Sequence, residues 1–192
     1  MPLDPRPMCH RHTAGNAQDM TATIEIPLAG DYRIDLSRST VRFTTRHVFG
    51  LARVRGTFQL REGHIHIADP LQGSSARATI AAASVNTRNP IRDAAVRSQY
   101  LGTDDYPDIA FVSTQLEEDD REWFLRGRLM VRGQTRPVDL TIDEVRPEGD
   151  RLRLKASCTV DRYEFGITKM KGMAGRRLTL TLDILADSST QH

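Results

Sequence analysis

The sequence predicts an all-β fold, an antiparallel barrel of about eight one-sided strands interrupted by one short helix. Three observations carry this. From Tyr32 onward apolar and polar residues alternate with period two, the pattern of strands with one buried face. Short turn sequences such as Arg61-Glu-Gly63, Arg132-Gly-Gln-Thr135 and Pro147-Glu-Gly-Asp150 join them, which favours sequential hairpins. Strands that are apolar on one face must stack as two sheets or close on themselves, and closure removes exposed edges. A two-sheet sandwich is the alternative.

Taking the segments in order, residues 1 to about 28 mix Pro, His, Arg, Gly and Asn with no period and read as a mobile tail; Met20 within it is an alternative natural start. Cys9, His10 and His12 are metal-ligand types there, but a flexible tail fixes no geometry, so no metal is assigned. The barrel domain spans 29–187, and 188–192 form a polar tail. In the stretch 40–61, Val41, Phe43, Val54, Phe58 and Leu60 share one face, and Arg42, Arg46, Arg53, Arg55 and Arg61 share the other. Glu62, His64 and His66 have the spacing of zinc ligands on a strand, yet Ile65 and Ile67 hold the opposite parity and turn the histidines to water.

On the segment from Ala76 to Ser84, Arg77 marks the outer face, so Ala76, Ala78, Ile80, Ala82 and Ser84 are expected to point inward. Most of these are small and leave volume for a ligand or a packed helix. The period changes at 89–101. Asn89 suits an N-cap and Pro90 the first helical position. Ile91, Ala94, Ala95 and Leu101 fall on one stripe, with Val96 and Tyr100 on nearly the opposite side. A helix with two apolar sides can cap the core with one and meet the following loop, a ligand or a partner with the other. Alternation then returns through Trp123, Leu125, Leu129 and Val131, through Val138, Leu140 and Ile142, through Leu152 to Val160, and through Leu178 to Ile184.

Composition excludes several classes. With 192 residues, 39% apolar and 27% charged, the chain suits one globular domain with a genuine core. Arginine dominates the basic residues, but the net charge is only +2, and no zinc-finger spacing, aromatic platform or basic helix accompanies it, so no nucleic-acid partner is expected. Cys9 and Cys158 lie too far apart in character and position to suggest a disulfide framework. No secretory signal and no run of ~20 apolar residues is visible, so a cytoplasmic protein without a transmembrane segment is expected. Nucleophile elbow, P-loop and dinucleotide fingerprint are all missing from the sequence, so neither an enzyme nor a bound cofactor is expected.

Four passages resemble the YceI-like family. They are Tyr32 to Asp35 with Ser39 to Phe43 and Arg46-His47; Val54 to Phe58; Asn89 to Ser98 with Asp105 to Phe111 and Ser113-Thr114; and Leu129 to Val138 with Asp161 to Gly166. They occur in order across most of 31–186. The resemblance implies a lipocalin-like eight-stranded antiparallel barrel with a helix near one end, enclosing a tunnel for an isoprenoid lipid (a polyprenol or polyprenyl phosphate) or an isoprenoid quinone. The chain departs from the family's helix pattern, where a histidine is replaced by Ala95 and an aromatic pair by Tyr100-Leu101. Many relatives are exported, and no export signal is seen here.

A barrel of about eight strands is either filled by side chains or holds one small ligand, and alternation alone leaves both open. The lining candidates are Phe43, Phe58, Ile80, Phe111, Leu125, Leu140, Cys158, Phe165 and Leu180, joined by Val96, Tyr100 and Leu101 of the helix. His47, Arg92 and Arg97 are the candidates for a polar head group, being types that bind phosphate or quinone oxygen; surface pairing with Asp93 or Asp105 is the competing account of the arginines. Two other functions stay open. One is an enzyme acting on a small hydrophobic substrate near His47 and Arg97; the other is an interaction module docking another chain, such as a second copy in a homodimer, on Val96 and Tyr100.

Overall fold

The computed structural model describes residues 23–47, 52–171 and 173–189. The strands are Thr23–Ile24 (β1), Gly30–Ile34 (β2), Thr40–His47 (β3), Ala52–Ile67 (β4), Ser75–Asn86 (β5), Asp108–Asp119 (β6), Glu122–Val131 (β7), Gln134–Glu148 (β8), Arg151–Asp161 (β9) and Ala174–Ser188 (β10). Between β5 and β6 lies the helix Pro90–Ala95 (α1), which continues as a π-helical turn over Val96–Leu101.

Every strand from β4 to β9 pairs antiparallel with its successor, and β10 pairs back to both β2 and β3, which pair in turn with β4. The sheet is therefore closed into a barrel of eight staves. One stave is composite. β2 lies against residues 64–67 of β4 and β3 against 52–58, so the two share the slot between β4 and β10. The break between them is a tight turn at Asp35, whose carboxylate accepts from the Ser37 N–H (2.9 Å), the Ser37 hydroxyl (2.6 Å) and the Arg38 N–H (3.2 Å).

Inside and outside follow the predicted alternation within segments but not across them. β-Bulges offset β4 between Leu60 and Glu62, β6 between Ser113 and Gln115, and β8 between Ile142 and Glu144. In β4 this switches the inward set from Phe58 and Leu60 to Gly63, Ile65 and Ile67. The hairpin between β7 and β8 turns at Arg132 and Gly133 with φ of 52° and 69°, the left-handed pair that matches the twist of antiparallel strands.

Three expectations need correction. Arg61-Glu-Gly63, read as a turn between strands, lies inside the continuous strand β4, where the chain bulges after Leu60 and does not reverse. Residues 23–28, read as the end of an irregular tail, contribute a short strand: β1 runs parallel to β8 with Thr23 opposite Glu144, and Pro27 is buried. Ser84 does not point into the barrel. β5 leaves β4 after Ala81 and rejoins it only at Asn86, so Ser84 Oγ accepts the Gln59 N–H at 2.8 Å and donates to the Ala81 carbonyl at 2.6 Å, while Val85 becomes fully buried.

Candidate ligand cavity at the helix-capped mouth

The barrel's ends are closed differently, and the helical end carries the site. There the helix and residues 162–171 lie across the opening. Asn89 caps α1 by accepting the Arg92 N–H at 3.0 Å. Asp93, buried, accepts from both the Thr87 N–H (2.9 Å) and the Thr87 hydroxyl (2.7 Å), which ties the helix to the end of β5. The π-helical turn then rotates the chain, so that Ala95, Val96, Tyr100 and Leu101 all line one cavity. The two-sided helix expected from a regular 3.6-residue period is thereby corrected: Val96 and Tyr100 face inward, and Ile91 is left 85% exposed.

Beneath the helix is a cavity of about 360 Å³, within the range of small-molecule sites. Its walls are Phe43, Thr45, Val54, Phe58 and Leu178 from the strands, with Ile167 and Met170 from the segment opposite the helix. No carboxylate lines it among the described residues. Phe43 and Phe58 pack as a tilted pair, centroids 5.3 Å apart, and line its lower part. One step further along the same strands, Val41 and Leu60 belong to a narrower gap of about 80 Å³ between Ala76, Ala78, Ala156 and larger aliphatic residues. A third space of about 70 Å³ lies toward the far end, beside Ile24, Trp123 and Leu152.

Glycine keeps the upper lumen open. Gly56 faces inward directly opposite Phe43, and the Phe43 ring occupies the place a Gly56 Cβ would take, so the ring lies against the wall. Phe111 sits over Gly127 in the same manner.

Arg162 is the residue that sequence periodicity missed. It is only 6% exposed, yet it lines the cavity, and its guanidinium donates to the carbonyls of Ile167 (2.6 Å), Gly175 (2.8 Å) and Ala174 (3.0 Å). It therefore ties Ile167 to the start of β10. It also stacks over Tyr100 (5.7 Å) and Tyr163 (4.9 Å). Three of its N–H groups are used by carbonyls and the remaining two are free of them. Nothing in the alternation could reveal it, because the period stops at Asp161; its only signal was its place in the family-like passage Asp161 to Gly166.

The structure sorts the predicted residues into groups. Phe43, Phe58, Val96, Tyr100 and Leu101 meet at the upper cavity, together with Arg92. Ile80, Phe111, Leu125, Leu140, Cys158 and Leu180 line the narrow gap below. Phe165 is buried in the core and lines neither space. Arg97 lies outside the cavity lining: it donates to the Ala83 carbonyl (2.7 Å) and the Val85 carbonyl (3.1 Å), satisfying β5 where it has left the sheet. His47 ends β3, and its side chain lies outside the described residues. Of the histidines expected to face water, His66 is exposed and hydrogen-bonds Asp31 at 2.9 Å, and no three metal-ligand side chains cluster among the described residues. Burial pushes the Cys158 thiol up to about 12, so the sulfur stays protonated at neutral pH.

A closed antiparallel barrel with an apolar, helix-covered cavity defines a class of small-ligand barrels. The chain belongs to the YceI-like domain family, whose sequence model matches residues 32–186. It is 28% identical over 166 residues to Protein YceI of Shigella flexneri, covering 82% of this chain and 86% of the relative, and 25% identical over 177 residues to a UPF0312 protein of Pectobacterium carotovorum, covering 88% and 92%. Among solved structures it is similar to BcnA of Burkholderia cenocepacia, with a TM-score of 0.72 at 17% identity over 79% of this chain and 98% of that one. It is also similar to a polyisoprenoid binding domain of Saccharophagus degradans, with a TM-score of 0.65 at 14% identity over 82% and 98%. At these identities the structural likeness speaks for the fold alone.

Proposed function

We propose that the barrel binds and carries a single long apolar lipid, an isoprenoid chain or isoprenoid quinone, with the polar end at the mouth and the tail pointing down the barrel. One observation carries this reading: an apolar cavity of about 360 Å³ sits under the helix of a barrel whose remaining interior is nearly filled. Burial of a chain there gains about 0.8 kcal/mol per methylene without any directional chemistry. At the top of the cavity Arg92, Gln99 and the unused N–H groups of Arg162 are donors suited to a hydroxyl, phosphate or quinone oxygen. A chain longer than the upper cavity must part Phe43 from Phe58 and enter the gap beside Ala76, Ala78 and Ala156. The polyisoprenoid binding domain of S. degradans, which has the same fold, supports the choice of ligand class.

Organic extraction of the purified protein followed by mass spectrometry tests the reading. A long apolar molecule near one per chain is expected. A barrel that yields none, and that takes up neither polyprenols nor quinones when they are added, overturns it.

A further inference from the structure

The arginines of this barrel fall into two populations. Several are neutralised: on the far half Arg153 pairs with Glu148 (2.9 Å) and Asp183 (2.7 Å), Arg126 with Glu117 (2.6 Å) and Arg151 with Asp187 (2.9 Å), and beside the mouth Arg176 pairs with Asp161 (2.6 Å). At the mouth, Arg42, Arg53, Arg55 and Arg88 line one outer groove, formed where β4 lacks β5 as a neighbour, and no Asp or Glu lines it. None of the four is ion-paired among the described residues. A net charge of only +2 for the whole chain makes this segregation a property of the surface, with acidic residues Glu117, Glu118, Asp119, Asp120 and Glu122 gathered at the opposite end in the β6–β7 hairpin.

The groove is continuous with the cavity. Arg53 also lines a notch with Ala52, Val54, Asn89, Ile91 and Arg92, and Val54 and Arg92 in turn line the cavity under the helix. Ile91 projects from this notch at 85% exposure, amid the arginines. On the other side of the mouth Met170 and Met173 are also exposed, beside Lys169 and Lys171; Glu164 is the exposed acid of that segment.

We infer that this face docks on an anionic membrane surface, with the arginines on lipid phosphates and Ile91 inserted at the headgroup boundary. Unpaired cations around an exposed aliphatic residue are what such a surface recognises. A nucleic acid fits less well, since the groove offers its bases no exposed aromatic platform and would leave Ile91 in water. The docking stands without any bound lipid. That the notch passes ligand between bilayer and barrel rests on the function proposed above.

The test is co-sedimentation of the full chain with vesicles of phosphatidylcholine alone and of phosphatidylcholine with about one third phosphatidylglycerol. Binding to the anionic vesicles only, weakening with salt, is expected. The Arg53→Glu/Arg55→Glu double variant is expected to lose about tenfold or more in vesicle affinity and Ile91→Ser about tenfold, whereas Arg33→Glu, on β2 at the far end, binds as wild type. Thermal melts of all variants separate lost binding from lost folding. Three results each overturn the inference: no binding to either vesicle, an equal loss in Arg33→Glu, or binding to a DNA duplex in the absence of vesicle binding. Because the assay reads the protein's partitioning and not its cargo, its failure leaves the extraction experiment standing, and the reverse.

Discussion

The far half of the barrel and its helical half are built from the same strands, yet they differ in nearly every physical respect. In the far half Leu152 and Ala186 are wholly buried, Val41 and Ile184 nearly so, and the outer charges are paired in ladders such as Glu148–Arg153–Asp183 and Glu144–Lys155. In the helical half the same alternation encloses a cavity, a buried arginine hydrogen-bonds to carbonyls, and the groove arginines Arg42, Arg53, Arg55 and Arg88 have no ion pair among the described residues. The comparison teaches that strand periodicity builds the wall, while the crossing segments at each end decide whether the lumen is core or site.

The largest expected effect breaks this contrast if it fails. Leu152→Ala should cost about 2–5 kcal/mol, because it deletes most of a wholly buried side chain and enlarges the small space beside it, whereas Val96→Ala at the cavity wall should cost about 1 kcal/mol. Urea unfolding measures both; equal losses would mean the two halves are packed alike.

Next comes Arg162→Met. It leaves the carbonyls of Ile167, Ala174 and Gly175 without their donor, at a net cost of about 1–3 kcal/mol. Amide hydrogen exchange should accelerate through 163–175 and stay unchanged in β6 and β7. Uniform acceleration over the whole barrel would deny Arg162 its local clasp.

Gly56→Ala should drive the Phe43 ring off the wall into the cavity, costing about 1–3 kcal/mol in stability and weakening lipid uptake together. Uptake as in the wild type would show that the ring does not guard the lumen.

The last effect is absent at neutral pH, appears only in alkali, and concerns Cys158. Its folded pKa, about 12, is raised above the unfolded value, so the stability it contributes is intact below pH ~8.5 and is lost as pH rises toward 12, when the unfolded chain gives up a proton that the fold retains. Wild type should therefore lose up to about 1.4 kcal/mol per pH unit more than Cys158→Ala across that window. Parallel pH profiles would place the thiol in contact with water.

Much of the wall was legible in the sequence. Period-two alternation identified the strands, Asn89-Pro90 the helix start and Arg132-Gly133 a hairpin, because each depends on local sterics and hydrogen bonding. What was hidden is what tertiary closure imposes. The bulges at Leu60/Glu62 and Ile142/Glu144 change parity without any Gly or Pro at the shifted pair to announce them. The π-helical turn unites Val96, Tyr100 and Leu101, which a 3.6-residue period sets apart. Arg97 read as a head-group candidate and Arg162 was not singled out; their roles come from carbonyls that strand departures leave free, which no window of sequence displays.

The central claim is that the cavity beneath the helix holds the apolar chain. Its most direct test is a titration of delipidated protein with a polyprenol, comparing wild type with Val96→Trp, whose indole would fill that cavity. Saturation near one per chain for wild type and loss of uptake in a Val96→Trp protein that melts normally is the predicted result; undiminished uptake by a folded Val96→Trp variant would contradict it.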